Sequence, residues 1–385
     1  MVMAEPRRIQ SPFLEGNFAP VHEEVASGPL AVIGDLPVEM DGMFVRTGSN
    51  PQFDVIKGYH WFGGDGMLHG VRLKDGKASY RNRWVQTEAF KKERAAGHAL
   101  WSSDLGAPEF DNPHGPGRGN TANTAIVWHD GRLLALWEGG DPHHIRVPGL
   151  ETVGPYDYCG KLMHAFTAHP KVDERTGELL FFGYNMMGID MARGAKVPYL
   201  QYSVANAAGE LSLTTAIDLP VGVMMHDFAV TERYSIFMNL PYTFSLDRAA
   251  RGESPFAWEP DRGAHFGILP RYATGDQVRW FSTDACYIFH VLNAFEEGDE
   301  IVLEAALIGG GEVLVDQLLV NGVRHVFCVP GESYLAVLDA FHDRDVAVTV
   351  CRQEGGAVMM AEAHGKLTGR PGIAFVTRGP GATNG

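Results

Sequence analysis

The feature that most constrains this chain is a change of apolar period inside one short stretch, "DEIVLEAALIGGGEVLVDQLLVNG", residues 299 to 322. Before it, apolar residues alternate with polar ones in short runs separated by turn residues, the period-2 pattern of half-buried strands. After it, they recur at helical spacing, and strands and helices then alternate. The two periods place side chains on different faces, so one regular architecture cannot satisfy both. Two differently built regions are expected within the 385 residues, a length that fits two or three domains of about 100 to 200 residues.

From Phe44 to about Leu303 the recurring unit is a short β-type run, a Gly/Asp/Asn turn and another run. "MLHGVRLKDGKASYRNRWV" shows it, with Val71 and Leu73 before an Asp-Gly turn and Ala78 and Tyr80 after it. "TAIVWHDGRLLALWEGG" repeats the pattern around Asp130 and Gly131, and "HPKVDERTGELLFFGYN" does so with a longer turn. Hairpins in series with little helical periodicity predict an all-β barrel, sandwich or propeller. No strict repeat is visible, so a WD-type propeller is not indicated. Lys91 to Asn120, which becomes rich in Pro and Gly, is expected to be a long loop.

Beyond Ala306, Val313, Leu314, Leu318 and Leu319 make a helical stripe that ends at Asn321 and Gly322. "VRHVFCVPG" then reads as a strand, "ESYLAVLDAFHD" as a helix, "VAVTVCRQ" as a strand, "EGGAVMMAEAHGKLTG" as a helix closed by Gly369, and "PGIAFVTRGPG" as a strand. This order predicts a parallel sheet covered on both faces. The last residues, "ATNG", fall where a next helix should begin, which would leave a sheet edge uncovered.

Composition narrows the partners. With 32 basic and 47 acidic residues the net charge is -15, which repels phosphate backbones unless a local patch overrides it. Nucleic acid is therefore a poor candidate partner. No signal-peptide core and no run of about 18 to 20 apolar residues is present, so a soluble, cytoplasmic protein is the expectation. Cys159, Cys286, Cys328 and Cys351 lie far apart without a CxxC pair and read as reduced, mostly buried thiols.

Among sixteen histidines, His169, His226 and His290 each sit inside or at the end of an apolar strand-like run. Their separations of 57 and 64 residues are too long for a local HxxH motif. They suit one ligand from each of successive supersecondary units, although a hydrogen-bonded core or surface histidine is the alternative for each.

The blocks "GNFAPVHEE", "LPVEMDGMFVRTGSNPQF", "YHWFGGDGMLHGVRL", "RNRWVQTEAF", "NTANTAIVWHDGRLLALWEGGDPHHI", "AHPKVDERTGELLFFGYN", "MMHDFAVTERYSIFMNLP" and "FHVLNAFEEGDEIVLEA" stand in one order. In these blocks, residues from about 12 to 305 resemble the carotenoid cleavage oxygenases, the group that includes the lignostilbene dioxygenases. The resemblance implies a seven-bladed β-propeller with Fe(II) on its axis, held by four histidines, of which His169, His226 and His290 match three. It also implies that Glu138 accepts a ligand imidazole's second N–H, and that Thr124, fourteen residues earlier, stands beside an open coordination position. The implied reaction is oxidative cleavage of a conjugated double bond by dioxygen, giving two carbonyl products without an organic cofactor. A hydrophobic polyene or stilbene would enter along aromatic residues such as Trp61, Phe62, Trp84, Trp137, Phe166 and Phe289, for which core packing is the alternative role. An apolar rim could rest peripherally on a membrane surface; oligomeric state is not legible. The family's fourth histidine, two further glutamates and closing blades correspond to positions after about residue 305 and have no counterpart here.

The later region has its own chemistry-bearing group. Glu354 sits at a strand-to-helix turn, on the side of a parallel sheet where α/β proteins bind ligands, though a glutamate there also simply suits the helix dipole. Residues 309 to 384 resemble the N-terminal, pyrimidine-binding domain of thiamine diphosphate enzymes related to acetolactate synthase, through "GGEVLVDQLLVNGVRHVFCVPGESYLAVLDAFHD" and "CRQEGGAVMMAEAHGKLTGRPGIAFVTRGPGATN". This implies that Glu354 bonds the aminopyrimidine of the cofactor, with Pro330, Gly331 and Glu332 in one loop and Gly379 and Asn384 in another beside it. In that family a separate domain with a GDG…NN motif holds the diphosphate and Mg²⁺. The "GDG" at Gly64 to Gly66 lies in a hairpin context without an Asn-Asn partner and reads as coincidence.

The expected fold is therefore an incomplete seven-bladed propeller over residues 1 to 306, followed by a partial α/β parallel-sheet domain over 307 to 385. Only Ala306 to Ile308 belong clearly to neither. Three readings follow: an iron-dependent alkene-cleaving dioxygenase, a fragment of a thiamine diphosphate-dependent lyase or synthase, or an inactive fusion arising by gene rearrangement or sequence misassembly. The first is favoured as ancestry and the third as the activity of this polypeptide.

Overall fold

A computed structural model describes residues 9, 11–104, 109, 111–185, 189–190, 195–196, 198–251, 253–308, 311–331, 334–342, 344–370, 372–377, 381 and 383–384. The chain divides into two compact units: Met1–Gly222 with Ser245–Pro255 and Thr274–Asp276, and Val223–Phe244 with Phe256–Ala273 and Gln277–Gly385.

The first unit contains three four-stranded antiparallel sheets. One orders Ala26–Ser27, Lys77–Trp84, Gly66–Lys74 and Gly42–Ser49; the next is the meander Ala125–His129, Arg132–Leu136, His143–Arg146, Glu151–Pro155; the third orders Leu211–Ile217, Leu200–Ala205, Leu179–Tyr184 and Lys171–Val172. Two hairpins turn at the expected Asp-Gly pairs. Both residues have positive φ in each, 51° and 68° at Asp75 and Gly76, and 46° and 70° at Asp130 and Gly131. That is the backbone sign pattern of a two-residue type I′ turn, which matches strand twist.

Strand Arg132–Leu136 shows how adjacent sheets share a core. Leu133 and Ala135 pack with Leu68, Val85, Ile145 and Leu150, while Leu134 and Leu136 pack with Tyr158, Phe166, Leu179 and Phe181. Alternate side chains of one strand thus fill two separate cores, as the pleat requires. Each fully buried Leu or Phe in them contributes about 1.5–3 kcal/mol relative to exposure.

The segment after Lys91 departs from the expected loop, because helix α1, Glu88–Ala96, occupies its start. The reason is local. The Thr87 hydroxyl accepts from the Phe90 amide, Glu88 lies in the first turn, and Gly97 closes the helix at φ 77°. Further on, Arg118 is held by buried ion pairs. Arg118 Nη2 lies 2.6 Å from both Asp65 Oδ1 and Glu93 Oε2, with side-chain exposures of 8%, 1% and 2% respectively. Arg118 also donates to the Gly63 carbonyl, and Glu93 accepts from the Leu100 amide. The Asp65 of the "GDG" stretch is engaged in this network and with the Gln52 amide. A short helix α2, Leu246–Ala250, capped by Ser245, also belongs to this unit.

The second unit holds a four-stranded antiparallel sheet of Ala229–Val230, Tyr234–Asn239, Ala264–Pro270 and Arg279–Thr283. Beside it in sequence are the pair Tyr242–Phe244 and Phe256–Trp258, and a long hairpin of Tyr287–Glu297 with Glu300–Ile308. The hairpin absorbs Ala306 to Ile308, since Leu307 pairs with Ile288 and Ile308 with Tyr287. Those residues are therefore strand, not connector: ladder pairing overrides the start of the helical apolar pattern. A three-stranded parallel sheet comes next, ordered Ala347–Val350, His325–Cys328, Ile373–Phe375. Helices α3 (Gly311–Val320) and α4 (Leu335–His342) supply Val315, Val337 and Phe341 to the core that holds Val326 and Cys328. Helix α5 (Glu354–Thr368) supplies Ala357 and Ala361 to the core that holds Phe327. Both faces of the central strand are covered.

The cysteines depart in part from expectation: Cys328 and Cys351 are buried, Cys286 is intermediate and Cys159 is exposed. Among the described residues no helix is long and apolar enough to cross a membrane.

Candidate metal centre and candidate cofactor edge

His169 and His226 occupy equivalent places in their sheets. Each lies just ahead of the edge strand that opens a four-stranded sheet, His169 before Lys171–Val172 and His226 before Ala229–Val230. Neither is inside a strand, as an extended run alone would have placed it. His290 does lie within a strand, Tyr287–Glu297, at a break in its ladder: the register with Glu300–Ile308 shifts between Ile288 and Val291. A bulge leaves residues unpaired and re-aims their side chains.

Within the second unit the bulge brings His290 to His226. Their ring centroids are 4.9 Å apart with planes at 81°, and Phe289 meets His226 edge-on at 5.2 Å. Asp227 fixes this pairing. Its Oδ1 accepts from the Phe228 amide at 2.8 Å, and its Oδ2 accepts from the Val291 amide at 2.9 Å. The residue after His226 is thus a buried carboxylate, 2% exposed, that reaches the amide of the residue after His290. Sequence reasoning missed Asp227; the "HD" pair in "MMHDF" was the available signal. Tyr287 and Tyr242 continue the aromatic wall beside Phe289.

The first unit holds the other candidates. His169 is half-buried, and its amide donates to Thr167 Oγ1 at 3.0 Å. Thr124 and Glu138 flank one hairpin: Thr124 precedes Ala125–His129, its amide donating to the Leu136 carbonyl, and Glu138 follows Arg132–Leu136. Glu138 is half-buried, whereas Thr124 is exposed and its hydroxyl donates to Asn123 Oδ1. The Phe166 amide donates to the Gly140 carbonyl, which links the His169 segment to the end of that hairpin. Of the aromatic residues, Trp84 and Phe166 are buried, while Trp61 and Phe62 are 38% and 50% exposed and stack on each other.

Two other histidines are committed elsewhere. His164 is buried, with Nδ1 against the Ala165 carbonyl and Nε2 against Ser203 Oγ; burial pushes its pKa down to about 4. His265 likewise uses both nitrogens, on Ser282 Oγ and the Arg262 carbonyl. An imidazole with both nitrogens engaged has no lone pair to offer a metal.

At the other candidate site, the loops named from the sequence gather at one edge of the parallel sheet. Glu354 begins α5, where Gln353 caps the helix by accepting from the Gly356 amide. Gly381 lies beside it: a Cβ there would sit 3.7 Å from Glu354 Oε1. A Cβ on Gly355 would sit 3.1 Å from the Asn384 carbonyl, and one on Gly331 would come within 2.3 Å of Thr377 Cβ. Glycine is thus required where the Pro330 to Gly331 turn meets the end of strand Ile373–Phe375. Tyr334, its pKa raised by burial, donates to the carbonyls of Val329 and Phe375. Glu332 and Gly379 lie outside the described residues.

Serial four-stranded antiparallel sheets, with histidines at the entries to edge strands and at a bulge, define an antiparallel-sheet protein whose candidate donors are imidazoles. Residues 18–325 match the family model described as Retinal pigment epithelial membrane protein, and the chain belongs to that family. Residues 308–385 match a second model, described as Thiamine pyrophosphate enzyme, N-terminal TPP binding domain. The chain is 43% identical over 315 residues to carotenoid 9,10(9',10')-cleavage dioxygenase 1 of Arabidopsis thaliana, a match covering 76% of this chain and 56% of that protein. It is 37% identical over 295 residues to isoeugenol monooxygenase of Pseudomonas putida, covering 76% and 60% respectively. Among solved structures it resembles Pseudomonas brassicacearum lignostilbene dioxygenase with a TM-score of 0.66 at 33% identity, over 77% of this chain and 61% of that one. Cobalt-substituted Synechocystis ACO matches with a TM-score of 0.62 at 25% identity, over 75% and 62%. The chain thus spans little more than half, 56%, of the length of the first of these curated relatives. The β-propeller expected from the sequence is the fold of these structural neighbours.

Proposed function

We propose that this chain carries the metal-binding part of a dioxygenase that cleaves a C=C bond of a carotenoid, apocarotenoid or stilbene, with Fe(II) held by His169, His226 and His290. The observation that carries this reading is the His226 and His290 pair, set edge to face and tied by Asp227 across a bulge. The donor set fits the metal: imidazoles suit divalent iron, whereas the hydrogen bonds of His164 and His265 remove both from the candidates. When bound, Fe(II) supplies the redox chemistry by which dioxygen and one alkene become two carbonyl groups. The residues of the chain do the rest. Glu138 accepts the second N–H of a ligand imidazole and so holds its tautomer. Thr124 would stand beside an open position of that metal. Phe289, Tyr287 and Tyr242 present aromatic faces and edges that exclude water and orient a planar conjugated substrate. The antiparallel sheets are, on this reading, blades of a seven-bladed propeller.

The test is iron content after anaerobic Fe(II) loading, together with oxygen-dependent aldehyde formation from an apocarotenoid or stilbene. The His226→Ala chain should lose bound iron. Iron bound equally by that variant would refute the ligand assignment, and full iron loading without aldehydes would favour the inactive-fusion reading.

A second reading concerns residues 308–385 alone. The approach of Gly381 to Glu354, and of Gly331 to Thr377, supports half of a thiamine diphosphate site in which Glu354 bonds the aminopyrimidine. Titration with thiamine diphosphate and Mg²⁺ tests it: heat of binding that Glu354→Gln removes supports the half-site, and no heat at millimolar cofactor rejects it.

A further inference from the structure

The second unit contains a basic pocket that neither reading uses. It is a cavity of about 290 Å³ lined by Asn321, Val323, Arg324, His325, His364 and Arg370, among others. It lies at the opposite end of the central parallel strand from Glu354. His325 begins that strand and Cys328 ends it, about 10 Å further along at 3.3 Å per residue.

The charge balance there is unlike that of the chain. The protein carries a net -15, yet two guanidinium groups and two imidazoles line this cavity, and neither arginine has a carboxylate partner among the described residues. Arg324 spends one terminal nitrogen, Nη1, on the carbonyls of Leu319 and Val323, and Arg370 places Nη1 3.5 Å from the Gly322 carbonyl. A guanidinium has five N–H donors, so most of each fork remains available. The C-terminal ends of α3 and α5 lie at the same place and bring about half a negative charge each. Two full positive charges exceed that, so the pocket stays cationic even with both imidazoles neutral.

The imidazoles are positioned rather than loose. His325 stacks on Phe327 at 4.6 Å and bonds Thr349 Oγ1 through Nε2, while His364 meets the His325 ring edge-on at 5.5 Å. Both arginines are exposed at the cavity, and an arginine fork is the recognition chemistry of a planar or tetrahedral oxyanion. The volume, near the lower end of the roughly 300–1,000 Å³ of small-molecule pockets, suits a compact ligand.

We propose that this pocket is an anion site for a compact phosphate monoester, with Arg324 and Arg370 as its phosphate ligands and His325 and His364 as its walls. It is separate from the thiamine half-site. A phosphorylated small metabolite and free inorganic phosphate share this chemistry.

The experiment titrates the full chain with inorganic phosphate and, separately, with glycerol 3-phosphate, followed by calorimetry and by the imidazole proton resonances of His325 and His364. Binding should shift both resonances, and Arg370→Gln should weaken it by about tenfold or more, the loss expected for one charge-assisted fork. That variant leaves the Arg324 bonds to Leu319 and Val323 in place, so it should keep its fold; circular dichroism checks this. Arg324→Gln is the second variant and should weaken binding similarly. Tighter binding of glycerol 3-phosphate than of phosphate assigns the monoester, and equal binding reduces the site to one for free phosphate. No resonance shift at saturating phosphate, or equal affinity in a folded Arg370→Gln chain, overturns the proposal.

Discussion

The two candidate sites are built by opposite devices. At His226 and His290 an antiparallel ladder is interrupted, and a buried carboxylate holds the interruption open. At Glu354 nothing is interrupted: parallel strands end in register, and the loops that leave them meet because glycines let backbones approach. The first is a site made by an irregularity and its brace, and the second a site made by regular topology. Irregular sites depend on individual long-range contacts, so single substitutions should act on them more sharply than on the regular one.

The largest effect should lie outside both sites and shows how strong a purely structural brace can be. Arg118→Ala leaves Asp65 and Glu93 buried without their cation and should cost about 3–5 kcal/mol in urea unfolding. A loss under about 1 kcal/mol would show that the two carboxyl groups are already neutralised by protonation, the direction in which burial drives both.

Next comes pH. Folded His164 is held neutral, with a pKa pushed down to about 4 from an ordinary 6.5, so the unfolded chain binds the proton first. Stability is fully present above about 6.5 and is lost as pH falls towards about 4, by about 3 kcal/mol for this one group. His164→Gln should flatten that part of the pH profile; an unchanged slope would assign it to other residues.

The comparison itself is tested by one variant at each site. Asp227→Ala removes the acceptor of the buried Phe228 amide and of the partly buried Val291 amide, which water can reach. It should cost about 1–3 kcal/mol and lower iron affinity roughly 10–100-fold, with Asp227→Asn restoring much of both. Iron affinity unchanged in the alanine variant would mean the bulge holds without its brace. Gly331→Ala should be milder, about 1–2 kcal/mol from the clash with Thr377, because that residue lies at a loop. Hydrogen exchange should rise only around the parallel sheet, with iron binding untouched; a loss of iron binding would break the separation of the two sites.

Much of this was legible in the sequence. The Asp-Gly turns, the change of period near residue 300, the βαβ order and the Gly369 cap are all local, since turn chemistry and apolar spacing act over a few residues. The same local logic contains the α1 signal that the Pro- and Gly-rich stretch after it obscured: a Thr87 cap and a Gly97 stop. His169, His226 and His290 were marked by their place in apolar strand-like runs and Glu354 by a strand-to-helix turn, but their proposed roles, and Glu138 altogether, came from motif order.

Sequence by itself determined which elements form and which side chains are chemically able to act. Tertiary structure alone decided that the ladder breaks at His290, that Asp227 reaches across 64 residues to the Val291 amide, and that Asp65, Glu93 and Arg118 are buried together. It also decided that two arginines near helix ends face one cavity. Strand register and desolvation are properties of contacts between distant segments, and local propensity carries no information about either.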